Sequence, residues 1–217
     1  MSTQMNRDVS CPHCGAAVKT RMYPGIGADE SPELREHVLD ETLFDWKCPA
    51  CGYEAELVYP CLYHDKEHNF MVYVVPNGNE CEIASVDVSK EFPQLSGMRK
   101  RVVISLAGLK EKILIFEAGL DDTAVELTKL ALTDVAAQKH GAVVDSCYFC
   151  SADEEAERIT FSFFLHGESK PVVQGTRMDV YRKSLEIVES IGRPGEEFCA
   201  VDAGAAQQIL RAYRGED

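Results

Sequence analysis

The chain has 217 residues, 45% of them apolar, enough for one sizeable core or two small ones. Its formal net charge of −14 is shared by both halves, with 7 Lys+Arg against 16 Asp+Glu in residues 1–98 and 15 against 20 in the rest. That balance disfavours a nucleic-acid partner, whose binding depends on Lys and Arg displacing counterions. The lack of any run of about 18 apolar residues excludes a membrane-spanning helix.

Met1 to Ser10 is polar and does not resemble an export signal, so the expected location is the cytoplasm. In that reducing compartment the nine cysteines are expected as thiols or metal ligands; their odd number would leave one unpaired even in a disulfide scaffold. The first two of them stand in Cys11-Pro12-His13-Cys14-Gly15, which has the form of a zinc knuckle. A Cys-x-x-Cys turn lets two thiolates grip one ion from the same side, with Pro stiffening the turn and Gly able to turn left-handed after it.

Val18 to Tyr23 alternates as a strand, and Pro24-Gly25-Ile26-Gly27 is expected to break it. A short helix then starts at Ser31-Pro32-Glu33, with Ser as cap, Pro in the first turn and Leu34, Val38 and Leu39 as its apolar face. Leu43 to Lys47 leads as a strand into the second knuckle, Cys48-Pro49-Ala50-Cys51-Gly52, and the inserted helix accounts for the excess of the 33 residues between the pairs over the roughly 15 to 20 of a minimal ribbon. Two further strands, Glu54 to Tyr63 and Phe70 to Val75, are expected to form a hairpin over His64 to Asn69, ending at Pro76-Asn77-Gly78-Asn79.

A helix pair follows over residues 99–139. Val102, Leu106, Leu109, Ile113 and Phe116 make the first stripe, closed by Gly119, with Arg99-Lys100-Arg101 as a solvated face at its start. Asp121 caps the second helix, whose stripe is Val125, Thr128, Leu132 and Val135, and His140-Gly141 stops it. The remainder reads as a separate unit: strands Val143 to Cys150 and Arg158 to His166, an amphipathic helix through Met178, Tyr181, Leu185 and Val188 ending at Gly192, a short strand Phe198 to Val201, and a last helix capped by Asp202. Helices and strands are segregated, so the expected class is α+β: an N-terminal zinc-ribbon-like antiparallel sheet, a central helix pair and a smaller C-terminal α+β unit. The expected boundaries are 1–139, with the ribbon over 9–75, and 140–217.

Cys11, Cys14, Cys48 and Cys51 supply the four sulfurs of a closed structural Zn²⁺ site, which leaves no position for a reactive water. Iron suits the same donors and stays open as the alternative metal. Cys147-Tyr148-Phe149-Cys150 lacks Pro and Gly, and in a strand its sulfurs fall on opposite faces, so it reads as packing. His64-Asp65-Lys66-Glu67-His68 formally fits the His-x-x-Glu-His pattern of inverted zinc peptidases, but that chemistry needs a helix and this run lies between strands. Cys61 and His64 lack a second pair with which to share a metal.

The knuckles, Leu62-Tyr63-His64-Asp65, Phe70-Met71-Val72-Tyr73, and Lys112 to Glu117 with Gly119-Leu120-Asp121-Asp122 together resemble the CpXC proteins of bacteria and archaea over residues 9–139. The resemblance implies a zinc-ribbon-type beginning fused to a helical segment and brings no activity with it. The expected function is a cytoplasmic zinc-binding protein whose metal site supports an interaction surface for another protein or a copy of itself. The first alternative is an enzyme with an unrecognised active site near His64 between the two expected units, and the second a nucleic-acid-binding zinc ribbon.

Overall fold

The computed structural model describes residues 2–76, 97–195 and 197–216. Two compact units are present, Met1–Lys110 with Glu196–Phe198 and Glu111–Gly195 with Cys199–Asp217. The class is α+β, as the segregated pattern predicts.

In the first unit β1 (Thr3–Ser10) and β2 (Ala17–Gly27) form an antiparallel hairpin whose turn is the first knuckle. β2 continues through Pro24, where the sequence suggests a break. The register passes from Met5↔Met22 to Thr3↔Gly25, so β2 carries one extra residue there, and a bulge tolerates the missing proline N–H. Beyond it Gly25–Gly27 pair in parallel with β5 (Cys61–Asp65). The resulting five-stranded sheet, in the order β1-β2-β5-β6-β7, is mixed rather than antiparallel throughout.

Helix α1 (Pro32–Leu39) buries Leu34 and Val38 as expected, with Pro in its first turn and Glu33 at the positive end of its dipole. Ser31 does not cap through its side chain; its hydroxyl accepts from Ser2 Oγ at 2.8 Å instead. The expected strand Glu54 to Tyr63 is two strands. β4 (Glu54–Glu56) pairs with β3 (Asp45–Lys47) in a separate two-stranded sheet around the second knuckle, whereas β5 belongs to the larger one. Pro60 stands between them, where its ring forbids a ladder hydrogen bond.

The hairpin of β5 with β6 (Phe70–Val74) turns over Lys66–Asn69, with Asn69 at φ 59° and the Asp29 carboxylate accepting the Lys66 and Glu67 amides at 3.0 and 3.1 Å. Of the expected stop Pro76 to Asn79, Asn77 onward lies outside the described residues. Arg99–Val103 is not the start of a helix but strand β7, parallel to β6. The spacing of Val102 and Leu106 that suggests a helical stripe is the end of a strand followed by the start of a helix. Lys100 and Arg101 are 1% and 5% exposed, so this basic run is not a solvated face.

Helix α2 (Leu106–Glu117) begins where Ser105 Oγ accepts the Gly108 amide and ends at Gly119, φ 70°. Asp121 caps α3 (Asp122–His140) by accepting from Thr123 and Ala124, and Gly141 closes it at φ 64°. Val125, Thr128 and Leu132 are buried as the stripe predicts; Val135 is exposed and Ala136 takes its place. The second unit also carries the antiparallel sheet β10-β9-β8, formed by β8 (Val144–Asp153), β9 (Arg158–Leu165) and β10 (Val172–Arg177), the last unforeseen. Ile159, Phe161, Phe163 and Leu165 all face inward, as their alternation requires. α4 (Met178–Ile191) follows, the expected strand at Phe198 to Val201 shrinks to a bridge at Cys199, and Asp202 caps α5 (Ala203–Arg214).

Candidate metal centre

Each knuckle is a hairpin turn closed in the same way. In the first, the Cys11 amide donates to Ala16 O and the Gly15 amide to Cys11 O, both at 2.9 Å; in the second, Cys48 donates to Tyr53 O and Gly52 to Cys48 O, both at 2.8 Å. Gly15 and Gly52 take φ 73° and 77°, the left-handed turn expected of them. The two turns meet, and the four Sγ atoms of Cys11, Cys14, Cys48 and Cys51 all lie within 4.8 Å of one another, a set able to hold a metal ion.

The separations test that fit. A tetrahedron with metal–sulfur arms of about 2.3 Å has edges of about 3.8 Å. Cys11 Sγ stands 3.8 Å from Cys51 Sγ, and Cys14 Sγ 3.8 Å from Cys48 Sγ. Both edges join one knuckle to the other. Desolvation opposes ionisation of Cys11, but amides of Cys14 and His13 outweigh it and lower its pKa to about 7. For Cys51 the Tyr53 amide favours the thiolate, yet partial desolvation and the three neighbouring thiols push it up to about 12.

The donor set has a dry side and a wet side. Cys11 and Cys48 are 2% and 1% exposed and pack with Trp46, flanked by Val9, Val18, Ala55 and Leu57. Cys14 and Cys51 are exposed. Trp46 Nε1 donates to Thr20 Oγ1 at 2.9 Å, tying β3 to β2, and the His13 ring stacks on Tyr53 across the knuckles at 5.7 Å and 7°. Sequence reading missed these supports, although a lone Trp two residues before a knuckle cysteine is a visible signal.

The other sequence candidates are placed apart from this cluster. Cys61 and His64 sit three apart in β5, on opposite faces of the sheet, and cannot share a metal. Burial pushes the Cys61 thiol up to about 12, and it donates to Tyr23 O. His64 lies in a strand and His68 in a turn, so the His-x-x-Glu-His run lacks its helix. Desolvation lowers the His64 pKa, and among the described residues its buried Nε2 has no hydrogen-bond partner. Cys81 lies outside the described residues.

Cys147 and Cys150 both stand in β8, with a register shift between Phe149 and Ser151, and among the described residues neither joins a group of metal-capable donors. Burial pushes Cys147 up to about 12. Serine at both positions is expected to leave metal content unchanged by elemental analysis and to cost about 1–3 kcal/mol in denaturant unfolding, through hydroxyls placed in partly buried sites. A loss of metal in that variant would contradict their packing role.

Among the described residues no helix is long and apolar enough to cross a membrane. No curated protein and no solved structure matches the chain. A family model described as CpXC protein matches residues 9–129, more than half of the sequence and both knuckles, and the chain belongs to the CpXC family.

Proposed function

We propose that this is a cytoplasmic protein that holds one structural Zn²⁺ through Cys11, Cys14, Cys48 and Cys51, and that the ion orders a surface for binding another protein or a second copy of the chain. The observation that carries the metal reading is the pair of 3.8 Å sulfur edges, which match a tetrahedral four-thiolate shell. Zn²⁺ in such a shell cross-links two hairpins and has no vacancy for water, which favours structure over catalysis. Strand β1 is exposed along almost its whole length, so little side-chain burial holds it in place; a cross-link at its end supports the use of this ribbon as a recognition surface.

Elemental analysis of protein purified without added metal is expected to give one zinc per chain. Iron in that preparation would replace zinc in the reading, and an empty preparation that takes up neither metal would end it. Retention on DNA or RNA at physiological ionic strength is expected to be absent, because the one basic run, Arg99 to Arg101, has Lys100 and Arg101 buried in β7. Salt-sensitive retention would restore the nucleic-acid reading. Turnover of any substrate that disappears in His64→Ala, with metal and fold intact, would restore the enzyme.

A further inference from the structure

We propose that Cys14 and Cys51 are a peroxide-sensitive pair: a hydroperoxide joins them in a disulfide and the metal centre is dismantled. The proposal rests on the metal reading above. Its basis is the asymmetry of the four thiols. Each knuckle contributes one buried cysteine, Cys11 or Cys48, and one exposed cysteine, Cys14 or Cys51. The sulfurs of the exposed two lie within 4.8 Å of each other, and the edge between them joins one knuckle to the other.

Access and freedom of movement both select that edge. Oxidation of a cysteine follows thiolate character and exposure, and every metal-bound cysteine is a thiolate, so exposure decides between them. A disulfide also requires the sulfurs to close to about 2.05 Å. Cys14 and Cys51 are exposed and so less hindered in moving together, whereas Cys11 and Cys48 are packed in one buried cluster with Trp46. The electrons balance in two steps. The Cys14 thiolate attacks one peroxide oxygen, the O–O bond breaks, and a sulfenic acid and hydroxide form. The Cys51 thiolate then attacks the Cys14 sulfur, the S–S bond forms, the S–O bond breaks and a second hydroxide leaves. Two thiolates supply two electrons to one peroxide, and only Cys11 and Cys48 remain as donors, too few for a closed shell.

The experiment uses the full metal-loaded chain and hydrogen peroxide. Released metal is read with a chromogenic chelator, the bridge by non-reducing peptide mapping, and the site by emission of Trp46, the one tryptophan in the sequence. The expected result is one Cys14–Cys51 bridge per metal lost, a changed Trp46 emission, and recovery of metal binding on addition of dithiothreitol and Zn²⁺. Metal retained under peroxide, or a first bridge at Cys14–Cys48, Cys11–Cys51 or Cys147–Cys150, overturns the proposal. Metal content is measured before peroxide is added, so a chain that never held metal is recognised at that step as a failure of the metal reading, and the proposal falls with it.

Discussion

Cys48→Ser is expected to strip the metal from the protein and to unfold the knuckle region, with a larger effect than the same change at Cys14. Structural zinc contributes on the order of 10–16 kcal/mol in small zinc-dependent peptides, as much as the entire stability of an ordinary domain. Either serine removes one of four donors. Cys48 additionally belongs to the buried cluster with Cys11 and Trp46, so its hydroxyl would be desolvated without a designed partner, at about 1–3 kcal/mol. Cys14 is exposed and carries no such penalty. Metal content and Trp46 emission report the two contributions separately: both variants should lose metal, and Cys48→Ser should show the larger shift of Trp46 toward a solvent-exposed spectrum. Equal metal content in Cys48→Ser and the parent protein would remove Cys48 from the centre.

The four-cysteine cluster was legible because its signals are local. Cys, Pro and Gly within five residues dictate a turn, and the structure closes both turns with matching hydrogen bonds. The helix caps at Asp121 and Asp202 and the inward alternation of Ile159, Phe161, Phe163 and Leu165 are equally local. What failed to show was decided by partners distant in sequence. Arg99 to Val103 became a strand because β6 offers it a parallel edge, and Pro24 stayed in β2 because a bulge and a change of partner absorb it. Val135 and Ala136, three and four residues after Leu132, flank the stripe on either side, so period alone does not choose between them, and the small residue is the one enclosed. Charged residues on α2 and α3 were invisible as core for the same reason, since a Lys or Glu on a helix reads as a solvated face until its partner is placed beside it.

Lys129→Met is expected to destabilise the second unit by about 3–5 kcal/mol, the cost of breaking a buried ion pair by removing one side of it. Lys129 Nζ donates to both Glu111 oxygens, at 2.9 and 3.1 Å, and to Glu126 at 3.0 Å. Glu111 also accepts the Phe149 amide of β8 at 2.6 Å, while Lys112 donates to Asp122 at 3.0 Å and to Val201 O at 2.8 Å, and stands 3.6 Å from Glu126. Three acidic side chains and two lysines are thus enclosed together, joining α2, α3, β8 and the segment before α5. Burial by itself would lower the Lys129 pKa, but Glu111 and Glu126 outweigh it and raise it, so methionine leaves two carboxylates facing no ammonium group at that position.

Glu126 behaves oppositely to an ordinary surface carboxylate: desolvation raises its pKa above 4.5 despite Lys129 and Lys112, with Glu111 adding to the rise. Its folded form therefore holds a proton more tightly than its unfolded form. The stability this supplies is present below the unfolded value and is lost as pH rises through the folded one. Glu126→Gln, which keeps an uncharged side chain of the same shape, should flatten that decline, and combined with Lys129→Met it should recover part of the loss because one stranded carboxylate is gone. Urea unfolding of the four proteins at several pH values between 4 and 8 provides the measurement. A Lys129→Met protein as stable as its parent at neutral pH, or a double variant no better than the single one, would show that these charges are not energetically coupled.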